Sequence, residues 1–175
     1  QMKIAVDSFS LRLQNADVAL FFYAGHGIQS GGYNYLIPVD ATLQSEAQIE
    51  YDCMPADRVM ALMDESAAQV KIMILDACRN NPFENRWARA AAGKGLASMK
   101  APKNTFIAYA TAPGSTASDG SGGNSLYTSA LLESLLIPDL TIDQMFQYVA
   151  RIVSQKSGNQ QIPWKSSSLI MDFYF

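Results

Sequence analysis

Three apolar runs organise the chain. Asp17 to Tyr23 is largely continuous, Val70 to Leu75 is the second, and Thr105 to Ala110 is the third. Runs of this length predict strands covered on both faces, as in a parallel sheet. Helical spacing fills the intervals. Lys3 to Gln14 carries Ile4, Phe9, Leu11 and Leu13 on a loosely helical period. A helix from Pro55 to about Ala67, with Pro55 in its first turn, turns Val59, Leu62 and Met63 inward. Leu126 to Ile137 predicts a helix packed through Leu131, Leu132, Leu135 and Leu136. Thr141 is a fitting N-cap for a further helix to about Ser154. The tail from Pro163 to Phe175 reads as extended chain holding a last strand.

The breaks are as informative. Gly25 and Gly27 end the first run, and Ser30-Gly31-Gly32 is a turn. Tyr33 to Val39 reads as a short extended or edge segment, since Pro38 argues against a central strand. Residues 79–104 and 112–124 form two loops long enough to be functional. Strand and helix alternate, which predicts an α/β fold with a mainly parallel sheet, as one domain over residues 1–175.

Composition narrows the function classes. With 49% hydrophobic and 17% charged residues, 175 residues can bury a sizeable core. A net charge of −3 gives no basic field for nucleic acid. No run is long and apolar enough to span a membrane, and no signal peptide is seen at Gln1. Cys53 and Cys78 are too few for a disulfide scaffold. A reduced, cytoplasmic compartment is the simpler reading.

The first two strands deliver chemistry to their C-terminal ends. One ends at Gly25-His26-Gly27, which holds the only histidine, and the other at Asp76-Ala77-Cys78-Arg79. In open parallel sheets that edge is where ligand sites form. A thiol needs ionisation or a base to attack, and an imidazole can take its proton and return it to a leaving amine. His26 and Cys78 thus point to a thiol hydrolase acting on acyl groups. Cys78 is preferred to Cys53, which lies in a connection before a helix. The alternative for Cys78 is a small buried hydrophobe. His26, Cys53 and Cys78 lack the paired spacing of a zinc site. Gly120-Ser121-Gly122-Gly123-Asn124 lacks the Lys of a phosphate loop. Phe173-Tyr174-Phe175 reads as core packing rather than a contact patch.

Tyr23-Ala24-Gly25-His26-Gly27 together with Asp76-Ala77-Cys78-Arg79 resembles the caspase-like cysteine peptidases, in particular the bacterial orthocaspases, close to metacaspases and paracaspases. The His-to-Cys separation of about 50 residues fits. Ala108 to Ser115 and Pro163 to Leu169 look like the same bacterial group. The resemblance implies a caspase-like three-layer α/β sandwich and an endopeptidase with His26 and Cys78 as its dyad. It implies oxyanion donors in the backbone N–H groups of Gly27 and Cys78. Asp76 stands where animal caspases carry Gln. A carboxylate there implies cleavage after Arg or Lys, with a bidentate Arg–carboxylate pair as the expected contact. Asp119 is a second, weaker pocket candidate. The alternative for each acid is a loop hydrogen-bonder.

The expected partners are peptides or proteins with Arg or Lys before the cut, and neither nucleic acid nor membrane. No cofactor is needed for this chemistry. Some metacaspases require calcium, and no acidic cluster here reads as such a site. The family's first core strand is not seen before Asp17, so the domain reads as N-terminally incomplete. Self-processing ahead of Gln1, with the N-terminal fragment retained, is the expectation, and truncation is its alternative. The rival functions are a catalytically silent interaction module and a nonpeptidase thiol hydrolase.

Overall fold

The second apolar run is buried throughout, and the sheet is built around it. In the computed structural model, residues 1–78, 96–113, 115 and 123–175 are described, with the backbone but not the side chain of Cys78. Along the chain come α1 (Met2–Arg12), β1 (Val18–Ser30), β2 (Tyr33–Leu36), a short α2 (Ile49–Asp52), β3 (Met54–Pro55) and α3 (Ala56–Asp64). Then follow β4 (Val70–Cys78), β5 (Thr105–Tyr109), α4 (Leu126–Leu135), α5 (Ile142–Lys156) and β6 (Trp164–Ser167). The sheet order is β3-β2-β1-β4-β5-β6. β4 is parallel to both β1 and β5. β2, β3 and β6 add antiparallel margins, so the sheet is mixed with a parallel centre.

Alternate residues of the sheet serve two cores, as the pleat requires. Ala19, Tyr23, Met73, Leu75 and Ile107 pack with Val6 of α1 and Val59, Met60 and Met63 of α3. Ile72, Ile74, Phe106 and Ala108 pack with Tyr127, Ala130 and Leu131 of α4 and Phe146, Val149 and Val153 of α5. Each large side chain buried this way contributes roughly 1.5–3 kcal/mol. The result is a three-layer α/β sandwich. Thr141 caps α5 as its sequence position predicts, and its own N–H donates back to Gln144 Oε1 at 2.9 Å.

Several expectations change. β1 does not stop at Gly25: it runs through His26 and Gly27 to Ser30. The positive φ values fall later, at Gly31 (57°) and Gly32 (87°), which make the tight β1–β2 turn. Nor is β1 covered on both faces. Val18, Leu20 and Phe22 are 41%, 43% and 42% exposed, because α4 and α5 pack over β4 and β5. Among the described residues, β1 has no strand on its far side until Gly27 meets Leu36 of β2. In α4, Leu131 is buried as expected, but Leu132, Leu135 and Leu136 are exposed. Tyr127, Ala130, Leu131 and Ser134 make the buried face instead. Pro55 is the N-cap of α3 with extended ψ, one position before the helix, and Tyr35 and Pro55 are register partners. Phe173 packs against the α5 core, while Tyr174 and Phe175 are exposed. Among the described residues no helix is long and apolar enough to cross a membrane.

Candidate active site

His26, within β1, and Cys78, the last residue of β4, are register partners on two adjacent parallel strands. The pairing runs without a bulge from Val18–Val70 through Ala24–Asp76 to His26–Cys78. Neighbouring strands lie roughly 4.8 Å apart. The two backbone positions proposed for a thiol and its base are therefore one strand spacing apart, though they lie 52 residues apart in sequence (78 − 26). Asp119 lies outside the described residues, as do residues 79–95 of the first loop.

The backbone around His26 is held from below. Tyr23 donates its hydroxyl to the carbonyl oxygen of His26 at 2.6 Å and to that of Ile37 at 3.0 Å. The N–H of Ile37 also reaches the His26 carbonyl, at 2.9 Å. The two flanking glycines have a steric reason rather than a turn to make. A Cβ at Gly25 would meet Tyr23 Oη at 2.7 Å. A Cβ at Gly27 would meet Leu96 Cδ2 at 2.9 Å and Ala77 Cβ at 3.1 Å. Leu96 begins the described return of the first long loop. That return is fastened by buried Asn34, whose Nδ2 donates to the Ala97 carbonyl at 2.8 Å and whose Oδ1 accepts the Ala97 N–H at 2.6 Å.

Asp76 is the buried acid of the site, at 2% exposure. It lines a cavity of about 370 Å³ together with Phe22, Ala24, Gly25 and His26 of β1 and Gly123, Asn124, Ser125 and Thr128 at the start of α4. Its Oδ2 accepts hydrogen bonds from the hydroxyls of Ser125 and Thr128. Its Oδ1 is shielded from solvent and has no hydrogen-bond partner among the described residues. Tyr127 is next to this network in sequence, and its buried hydroxyl also lacks a partner among them. Burial, and then the negative charge of Asp76, push the Tyr127 phenol above its ordinary range. A buried carboxylate with one oxygen unserved is costly.

Cys53 occupies a different place. It packs with Ile28, Tyr35, Leu43 and Ile49, and it borders a cavity of about 410 Å³ on the α2–β3 side that contains no imidazole. That cavity is larger than the one at His26, but size does not make it the reactive one. Desolvation, and then the charge of Asp52, push the Cys53 thiol up to about 11. At pH 7 roughly one such thiol in ten thousand is ionised. Cys53 is thus a packing residue of this small apolar cluster. Among the described residues no group of three or more His, Cys, Asp or Glu could hold a metal ion.

Sequence reasoning did not single out Ser125, Thr128, Tyr23 or Asn34. Ser125 carried a usable signal, because a Ser after a glycine-rich stretch and before an apolar helix is an N-cap pattern. Its oxygen accepts the Thr128 N–H at 2.9 Å. Nothing in the sequence joins that cap to Asp76.

Comparison with known proteins gives a consistent result. A family model described as the caspase domain matches residues 1–174. The human mucosa-associated lymphoid tissue lymphoma translocation protein 1 is 28% identical over 174 residues, covering 95% of this chain and 20% of that protein. Its mouse homologue matches to the same extent. The chain thus spans 20% of the length of these curated relatives. The crystal structure of caspase-1 from Spodoptera frugiperda superposes with a TM-score of 0.67 at 16% identity, covering 99% of this chain and 70% of that one. At that identity the likeness speaks for the fold alone.

Proposed function

The chain belongs to the caspase domain family of cysteine peptidases, and from that premise we propose that it is an endopeptidase cleaving after Arg or Lys. The observation that carries the specificity is Asp76: a buried, half-satisfied carboxylate on the wall of the cavity that His26 also lines. A hydrogen bond involving a charged group contributes about 1.5–3 kcal/mol, against about 0.5–1.5 kcal/mol for a neutral pair.

In this reading Cys78 attacks the carbonyl carbon of the residue seated over Asp76. His26 removes the thiol proton as the S–C bond forms. The oxyanion is met by the backbone N–H groups of Gly27 and Cys78. The C–N bond then breaks, and the leaving amine takes its proton from the imidazolium. Water, deprotonated by His26, hydrolyses the thioester and returns the thiol. The His26–Cys78 register supports this assignment, since it sets the two residues side by side without a long loop to order.

Turnover of short peptides ending in Arg, Lys or Asp at the cleaved position tests the proposal. Cleavage after Arg and Lys, weakened at least about tenfold for Arg by Asp76→Asn, is the expected result. Cleavage after Asp instead, or equal Arg rates in Asp76→Asn, would remove Asp76 from the pocket. No cleavage of any of the three would favour a noncatalytic binding module.

A further inference from the structure

We propose that Thr128 and Ser125 are positioning residues for specificity: they clamp one oxygen of Asp76 and so fix the carboxylate in the cavity wall before the cation of the substrate arrives. The proposal rests on the reading of the cavity as the pocket for a basic side chain, and it changes how that pocket works.

A carboxylate has two oxygens with about two acceptor sites each. Oδ2 of Asp76 already takes two hydroxyl donors, from Ser125 and Thr128. Oδ1 takes none from the described residues. A side-on bidentate pair with a guanidinium needs both oxygens, and one is occupied. Both acceptor sites of Oδ2 are therefore filled before a substrate binds. What the clamp contributes is preorganisation, since the carboxylate is aimed before the substrate arrives and loses little freedom when it binds.

The clamp is built into a rigid element. Ser125 is the N-cap of α4, and its oxygen accepts the Thr128 N–H while its own proton goes to Asp76. Thr128 lies one turn into the helix, with its hydroxyl on the same carboxylate oxygen. The helix is anchored in turn by buried Tyr127, Ala130 and Leu131. One helix start and one strand end therefore fix each other across 49 and 52 residues of sequence.

The test compares two substrates in the full-length protein: a peptide with Arg before the cut and its citrulline analogue, which has nearly the same shape without the charge. Thr128→Val keeps the side-chain volume and deletes the hydroxyl. It should raise KM for the Arg peptide at least about fivefold with kcat within about twofold, and lower the Arg-over-citrulline ratio of kcat/KM by a similar factor. Thr128→Ser should restore both. Ser125→Gly keeps a serviceable N-cap and should act like Thr128→Val. Binding of agmatine, followed by calorimetry, gives a readout that needs no turnover and should weaken in the same variants. If Asp76→Asn weakens Arg turnover and agmatine binding while Thr128→Val and Ser125→Gly change neither, the clamp is wrong and the pocket stands. If Asp76→Asn also changes neither, the pocket itself is wrong and the clamp falls with it. A Thr128→Val effect that Thr128→Ser fails to reverse overturns the hydroxyl as its cause.

Discussion

The hydroxyl of Tyr23 lies 2.6 Å from the carbonyl oxygen of His26, three residues further along the same strand. Side chains seldom reach along their own strand in this way. Here the flanking Gly25 leaves the room, since any Cβ there would collide with the same hydroxyl. Tyr23→Phe should therefore loosen the backbone that carries the imidazole. The expected stability loss is about 1 kcal/mol, because the Ile37 N–H still serves the His26 carbonyl. Peptide turnover should fall in kcat more than in KM. Denaturant unfolding together with steady-state kinetics checks both parts. Unchanged stability would mean the bond contributes nothing net.

Cys78→Ala and His26→Ala should each abolish peptide cleavage while the thermal midpoint stays near that of the parent. Neither substitution removes a large core side chain, so neither belongs to the strongly destabilising class. Cleavage persisting in Cys78→Ala would take the nucleophile elsewhere. Near-normal turnover in His26→Ala would dismiss the imidazole as the base.

Alkylation near neutral pH should spare Cys53, whose thiol is held up to about 11. The same shift has a stability consequence. The folded form keeps the proton to about 11, whereas the unfolded chain releases it near the ordinary value of 9. Protons are thus held more tightly in the folded state, so this contribution is full below pH 9 and is lost as pH rises through 11. Tyr35 and Tyr127 are shifted in the same direction by burial. The difference between the parent protein and Cys53→Ala isolates the thiol. Stability of the parent should fall more steeply over that window, as read from denaturant midpoints at successive pH values.

Gly27→Ala should destabilise by about 1–3 kcal/mol, the usual cost of overpacking. The added methyl would press on Leu96 and on Ala77, and Ala77 belongs to the strand pairing itself. Leu96→Ala in the same chain should recover part of the loss. No recovery would place the strain on the Ala77 side alone.

The elements readable in the sequence were those whose apolar residues have neighbours on both sides. Val70 to Leu75 reads as buried and is buried throughout. Asp17 to Tyr23 reads the same way, yet Val18, Leu20 and Phe22 are left partly exposed. An apolar run records that a strand can be covered, not what covers it. Leu132, Leu135 and Leu136 misled for the same reason, since helical spacing allows them inward but the buried stripe runs through Tyr127, Ala130 and Ser134. Gly25 and Gly27 were read as breaks, because sequence cannot distinguish a glycine that turns the chain from one that lets Tyr23 or Leu96 come close. In the candidate site, His26, Asp76 and Cys78 stood out through local motifs. Ser125 and Thr128 did not, since their tie to Asp76 crosses the fold.

β1 changes partner at His26. Up to that residue it is locked to β4, and from Gly27 onward to β2. No spacer separates the two pairings, so the strand is like a beam clamped along both halves with the imidazole mounted at the joint. Slippage of β2 by one residue would flip the pairing from Gly27 to Ser30, but His26 could follow only by tearing the register back to Val18. The mounting is stiff along the strand and compliant across it. A ligand pressing on the β1–β2 hairpin would tilt the imidazole before it could slide it.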